Sequence, residues 1–128
     1  MATILMIDDD PKIVDTFDTM FAKDGFNVIR ARDGEDGLAK ANSENPEVII
    51  VDLIMPKIHG IEFIKRFKPK DHPNCKVIVF SNMDKGDLVR KAMDLGAWKY
   101  VSKMSTSPNE MREIVNEAYG SIEKKTPL

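Results

Sequence analysis

The chain has 128 residues, 42% of them hydrophobic and 31% charged, with a net charge of −2 at neutral pH. One domain of this size buries roughly two-thirds of its unfolded surface, so it folds without a disulfide or a structural metal. The near balance of charge excludes a broad nucleic-acid-binding surface, and the composition excludes extended disorder. The single cysteine, Cys75, cannot close an internal disulfide, which points to a reducing, cytoplasmic setting. The opening Met-Ala-Thr-Ile-Leu-Met-Ile lacks the basic region and long apolar stretch of a signal peptide, and no apolar run approaches the ~20 residues of a membrane span.

In chain order, the first apolar run is Ile4 to Ile7, continuous rather than alternating, as in a parallel strand covered on both faces. Asp10-Pro11 then reads as an N-cap followed by proline at the first helical position. Ile13, Val14, Phe17, Met20 and Phe21 keep helical spacing up to Gly25. A weaker strand spans Phe26 to Ala31. A second helix covers about Glu35 to Ser43, with Gly37 as an interruption. Val48 to Val51 is a second strongly apolar strand. A third helix runs from Gly60 to Phe67, and the basic stretch from Lys65 to Lys70 after it reads as a solvated face. Val77 to Phe80 is the next strand. A helix bearing Leu88, Val89, Ala92 and Leu95 follows and ends at Gly96. A weak strand from Trp98 to Ser102 precedes the last helix. That helix opens on the capping box Ser107-Pro108-Asn109-Glu110 and carries Met111, Ile114, Val115, Ala118, Tyr119 and Ile122 on one stripe. Five βα units in succession imply an α/β fold, a parallel sheet with helices on both faces. Residues 1–122 form one domain, and 123–128 read as a short C-terminal tail.

In such sheets ligands bind at the carboxyl ends of the strands. Here those ends carry Asp8-Asp9-Asp10, Asp52, Ser81 and Lys103. Two carboxylates about 5 Å apart repel by roughly 3 kcal/mol at an effective dielectric near 20. An acidic crevice of this kind calls for a counter-cation, and Mg²⁺ suits a few carboxylates supplemented by water. With Lys103 as a further positive charge, an electrophile bearing anionic oxygens can approach. The crevice thus has what phosphoryl transfer to a carboxylate requires. Asp10 reads as the helix cap rather than a ligand, and His59 and His72 as loop residues without a partner pattern.

Ile7-Asp8-Asp9, Asp52 followed by Met55-Pro56 and Gly60, Ser81, and Tyr100 three residues before Lys103 together resemble the receiver domains of two-component response regulators, over about Thr3 to Ile122. The resemblance implies a flavodoxin-like (βα)5 sandwich with strand order 2-1-3-4-5. It also implies a single-domain regulator that takes a phosphoryl group on Asp52 from a histidine kinase or a histidine phosphotransfer protein. Asp8, Asp9, Asp52 and the backbone carbonyl of Ile54 would hold Mg²⁺. Lys103 and Ser81 would contact the phosphoryl oxygens, and Ser81 and Tyr100 would form a conformational switch. The chain would act as a signalling module, catalysing only its own phosphorylation and slow dephosphorylation, and would signal through a downstream protein rather than nucleic acid or membrane.

One departure from the family pattern stands out. Receivers usually place a cis-proline after the last lysine, whereas here it is Met104. A cis bond before a non-proline residue costs about 3–4 kcal/mol, so this loop is either trans along a different path or strained. The positions two residues after Asp52 and Ser81, which influence hydrolysis in this family, are Ile54 and Met83.

Two other readings compete. A haloacid-dehalogenase-type phosphatase would use Asp8-Asp9-Asp10 as its first motif. That fold needs a further acidic pair after the lysine, which nothing after Lys103 supplies, and Asp52 would be left without a role. A non-phosphorylated pseudo-receiver has no need of the intact charged set. An FMN site is disfavoured, since three aspartates after the first strand would repel a phosphate.

Overall fold

A computed structural model of the chain describes residues 2–55, 58–82 and 86–122. Five strands and five α-helices alternate: β1 (Thr3–Ile7), α1 (Pro11–Lys23), β2 (Asn27–Ala31), α2 (Gly34–Glu44), β3 (Val48–Val51), α3 (Gly60–Phe67), β4 (Lys76–Ser81), α4 (Gly86–Asp94), β5 (Lys99–Ser102) and α5 (Pro108–Gly120). The strands form one parallel sheet in the order β2-β1-β3-β4-β5, the order expected for a flavodoxin-like fold. Every element read from the sequence is present, with ends shifted by one or two residues.

The continuous apolar strands are explained by burial on both faces. Side chains alternate across a strand, so Leu5, Ile7, Ile49, Val51, Val77 and Val79 join one core with Ala41 of α2, Phe63, Ile64 and Phe67 of α3, and Ala92 of α4. Ile4, Met6, Val48, Ile50, Ile78 and Phe80 face the other way, onto Val14, Phe17 and Phe21 of α1 and Met111, Val115 and Ala118 of α5. Each large side chain buried in this way contributes about 1.5–3 kcal/mol. The two layers fix the three central strands rigidly, and with them the residues at the strand ends.

Local signals behave as their chemistry dictates. The Asp10 side chain accepts from the Lys12 N–H at 3.0 Å and caps α1. Ser107 and Glu110 exchange both hydrogen bonds of a capping box at the start of α5. Gly25 and Gly96 take positive φ values of 94° and 109°, which favour glycine after a helix.

Gly37 was read as an interruption of α2, but it lies within that helix. A Cβ there would sit 2.6 Å from Ile7 Cδ1, so this glycine is what lets α2 pack onto the end of β1. A short 3₁₀ turn, Pro69–Asp71, was not foreseen; it follows Lys68, which adopts φ 57° at the end of α3. His72 lies in the loop after this turn, as read from the sequence, with its ring stacked on Phe67 at a centroid distance of 4.2 Å. No peptide bond among the described residues is cis, so Lys103–Met104 is trans.

Two predictions follow from this packing. A Cβ on Gly60 would lie 2.4 Å from the Asp52 carbonyl oxygen and 2.6 Å from Leu53 Cα. Backbone cannot yield as a flexible side chain can, so Gly60→Ala should destabilise the fold by about 1–3 kcal/mol in urea titrations. An unchanged midpoint would show that the β3–α3 connection relaxes freely.

The second concerns Cys75. Burial pushes its thiol up to about 12, with a smaller push from Glu47. The folded thiol therefore keeps its proton while the unfolded one ionises near its ordinary value. Stability should be unaffected below about pH 8.5, then fall as pH rises toward 12. Native protein at pH 8 should react with iodoacetamide far more slowly than urea-unfolded protein, measured by mass, because the thiolate is the reactive form.

Candidate functional site

Because β1, β3 and β4 are adjacent, Asp8, Asp52 and Ser81 emerge side by side at the carboxyl edge, and β5 adds Lys103. Asp8, Asp52 and Ser81 are the only buried polar or charged residues among the described ones. The Lys103 ammonium lies between the two carboxylates, 2.7 Å from Asp8 Oδ2 and 2.9 Å from Asp52 Oδ2. Its Nζ also sits 5.7 Å from the centre of the Phe80 ring, and its backbone N–H donates to the Ser81 carbonyl at 3.2 Å.

The remaining carboxylate oxygens are held by the backbone. Asp8 Oδ1 accepts from the Asp10 N–H at 2.9 Å, and Asp52 Oδ1 from the Ile54 N–H at 3.1 Å. Both are bonds to a residue two positions on, the Asx-turn arrangement that aspartate forms after a strand. The sequence reading gave Ile54 a role through its carbonyl; the contact present here runs through its N–H. The Ile54 side chain is 53% exposed at the rim, and Met104, beside Lys103, is 84% exposed.

Asp9 is exposed, yet one of its carboxylate oxygens falls within 4.8 Å of those of Asp8 and Asp52. Asp10 stays outside this group, engaged as the helix cap. Tyr100 is half-buried, and its hydroxyl donates to the Ser81 carbonyl at 3.2 Å, so the two residues expected to form a switch are in contact. Pro56 and Met83 lie outside the described residues.

Charge decides what this arrangement can do. Burial pushes the Asp8 carboxyl above its ordinary value, opposed by the hydrogen bond from Lys103 and reinforced by the charge of Asp52. Burial pulls Lys103 the other way, but its hydrogen bonds and ion pairs with Asp8 and Asp52 outweigh that and hold it above its ordinary value. The ammonium is therefore firmly charged. Three carboxylates against one ammonium leave the ionised crevice at −2, which a single divalent cation neutralises. Its donors are all oxygens, as Mg²⁺ prefers. The residues present thus fit the ion that the sequence reading called for.

A groove of about 910 Å³ adjoins this crevice at Asp8 and Asp9 and runs between α1 and α2 past Arg30, Arg32 and Lys40. No helix among the described residues is long and apolar enough to cross a membrane.

Comparison with known proteins agrees with this geometry. The response regulator receiver domain profile matches residues 4–116. The sporulation initiation phosphotransferase F of Bacillus subtilis is 30% identical over 98% of this chain and 94% of its own length. The chemotaxis protein CheY of Treponema pallidum is 32% identical over 78% of this chain and 71% of its own length. A CheY-like receiver domain structure from Methanospirillum hungatei superposes with a TM-score of 0.90 at 25% identity, covering 98% of this chain and 99% of that one. This chain belongs to the response regulator receiver domain family, the signalling modules of two-component systems. It spans only part of several other relatives: 27% of a cyclic di-GMP phosphodiesterase of Thermotoga maritima and 44% of the alkaline phosphatase synthesis regulator PhoP of Bacillus subtilis.

The raised Asp8 carboxyl generates a prediction with a definite sign. A carboxyl whose folded value lies above its unfolded value contributes stability fully below the unfolded value, near 3.8, and loses it as pH rises through the folded value. Asp8→Asn removes that loss. In metal-free buffer with chelator, the variant should become more stable than the parent as pH climbs above about 4, and the two should converge below it. Thermal melts across that range check this. A variant less stable at neutral pH would mean that the Lys103 contact outweighs the cost of burying the charge.

Proposed function

We propose that this chain is a phosphoryl-accepting response regulator: Asp52 takes a phosphoryl group from the histidine of a kinase or phosphotransfer protein, with Mg²⁺ held by Asp8, Asp9, Asp52 and the Ile54 backbone carbonyl. The observation that carries the reading is the Lys103 ammonium bound between Asp8 and Asp52 at 2.7 and 2.9 Å in a buried crevice with a surplus of carboxylate. A bare structural ion pair needs one carboxylate. A crevice that keeps three near one ammonium is suited to a divalent cation and an anionic reactant. When bound, the dication neutralises negative charge shared between the carboxylates and the transferred group.

The chain's own residues then have separable tasks. Asp52 supplies the nucleophilic oxygen, which forms the new oxygen–phosphorus bond as the donor's bond to phosphorus breaks and the leaving group takes the electron pair. The Ile54 N–H, at 3.1 Å from Asp52 Oδ1, fixes the carboxylate's rotation so that the attack is oriented before the donor arrives. Lys103 is within reach of the oxygens of a group placed on Asp52. Ser81 hydrogen-bonds the same group, and the contact between Tyr100 and Ser81 carries the change toward β4 and β5 as the switch. A reducing cytoplasm, where the buried Cys75 thiol stays reduced, is the setting this role implies. Output passes to another protein.

The test is direct. Incubation with acetyl phosphate and Mg²⁺ should give one phosphoryl adduct by intact mass, and none when Mg²⁺ is chelated. Asp52→Asn, nearly isosteric, should fold and give no adduct; full phosphorylation of that variant would overturn the assignment. Asp9→Ala should weaken Mg²⁺ binding by calorimetry, since it removes a charged donor.

The lifetime of the adduct depends on the rim. Hydrolysis requires a water in line with the oxygen–phosphorus bond, and polar side chains nearby orient it. Ile54 has no polar atom, and Met83, the second such position, offers only a thioether. Slow self-dephosphorylation is expected. Ile54→Asn should accelerate decay of the isolated adduct in excess Mg²⁺ by about tenfold, an effect of water positioning. Equal decay rates would show that this side chain does not control the water.

A further inference from the structure

The end of the molecule opposite the crevice carries charge of the other sign. Residues 65–76 hold Lys65, Arg66, Lys68, Lys70 and Lys76 against Asp71 alone, a local excess of +4 in a chain whose net charge is −2. The sequence reads Lys65 to Lys70 as a solvated face, but the fold places these lysines around two adjoining grooves. One, of about 260 Å³, lies between the ends of α3 and α4, where Lys65, Lys68 and Lys70 surround Ile64 and Leu95. The other, of about 240 Å³, continues from Lys70 past Pro69, Lys76 and Ala97 to Trp98, the only tryptophan in the chain. Asp71 and Asp94 are the carboxylates on these walls.

Three features set this trough apart from an ordinary lysine-bearing surface. Four lysines line it, Lys65, Lys68, Lys70 and Lys76, against Asp71 and Asp94, and none of the four is in an ion pair among the described residues; the neighbouring Arg66, which lines neither groove, is paired with Glu62 at 2.8 Å. Lys68 holds a left-handed conformation, φ 57°, that glycine or asparagine adopts at lower cost; a lysine there costs about 1 kcal/mol. The floor between the cations is apolar, and Trp98 lies half-buried at its far end with Lys99 Nζ 5.8 Å from the ring.

From this we propose that the trough at the amino ends of β4 and β5 docks a short acidic protein segment carrying an apolar side chain. Lysine ammonium groups attract carboxylates, and the partly exposed Leu95 and Trp98, backed by the buried Ile64 and Pro69, accept the apolar anchor. The occupant is short, because the attraction is local. The field of surface charges is screened over about 8 Å in physiological salt. A long polyanion such as a nucleic acid would run beyond the trough onto a molecule that is net negative elsewhere. Docking here leaves the crevice at the opposite strand ends free, so a bound segment and a phosphoryl donor do not exclude each other.

The proposal is independent of the phosphoryl reading, and one experiment separates them. The probe is a fluorescein-labelled peptide, Glu-Asp-Glu-Leu-Phe-Asp-Glu-Glu, followed by anisotropy and by Trp98 emission in the unlabelled form. The intact chain should bind it, shift the Trp98 emission, and lose affinity as salt rises. Lys65→Glu with Lys70→Glu should weaken binding by at least about tenfold, the effect of losing roughly 1.4 kcal/mol. Lys12→Glu with Lys23→Glu, the same charge change on exposed positions of α1, should leave binding within about twofold after correction for net charge. Both double variants should form the acetyl phosphate adduct as the parent does. No binding by the parent, equal losses in the two double variants, or tighter binding of an oligothymidylate or of phosphatidylserine vesicles than of the peptide would each overturn the proposal.

Discussion

The arrangement of this molecule depends on a charge imbalance in a place where charge is costly. Asp8 and Asp52 are buried at the ends of neighbouring strands, and one ammonium answers both. Removing an ion from water costs several kcal/mol even after relaxation, and the attraction between close partners recovers that only when every remaining lone pair is satisfied. Here each carboxylate oxygen has one partner, because the Asp10 and Ile54 N–H groups bind the second oxygen of each carboxylate, although burial still raises the Asp8 carboxyl. The site is thus satisfied in its hydrogen bonds but unsatisfied in its charge. That combination gives rigid geometry together with a surplus of negative charge.

Rigid geometry comes from the sheet. A crevice that must hold three groups within a few ångströms cannot be built on loops alone. In this fold Asp8, Asp52 and Ser81 stand at or one residue beyond the ends of β1, β3 and β4, whose apolar side chains are all buried, with α1 and α5 on one side and α2, α3 and α4 on the other. Small contacts serve the same end. Gly60 abuts the backbone of Asp52 and Leu53 so closely that α3 braces the turn bearing the carboxylate, and Gly37 lets α2 brace the end of β1. The Lys103 ammonium also lies 5.7 Å from the centre of the Phe80 ring, a third group beside the two carboxylates.

Much of this was legible in the sequence because it rests on short-range rules. The apolar runs gave the strands, and the caps at Asp10 and Ser107 gave two helix starts. The rule that sites lie at strand ends brought Asp8, Asp52, Ser81 and Lys103 to one place. What could not be read depends on three-dimensional approach. Gly37 looks like a weak point by helix propensity alone, since the value of a missing Cβ appears only when Ile7 is known to lie against it. Lys68 in a left-handed conformation and the 3₁₀ turn after it carry no sequence signal, for lysine is not the residue that such a position favours. The Ile54 N–H contact was within reach of reasoning, because aspartate after a strand commonly binds the N–H two residues on.

The loop after β5 shows how a missing residue type is accommodated. Met104 follows Lys103 through a trans bond, so the chain leaves the strand without the usual proline. The position of Lys103 is set from its two flanks rather than by the loop itself. On one side its N–H is tied to the Ser81 carbonyl, extending the β4–β5 pairing beyond Ser102. On the other, four residues later, Ser107 and Glu110 close a capping box that anchors α5, and α5 is anchored in turn by Met111 and Val115 in the core. The segment between these two fixed points is short and polar apart from Met104, whose side chain is almost fully exposed. The ammonium is therefore held between Asp8 and Asp52 with methionine, not proline, as the next residue.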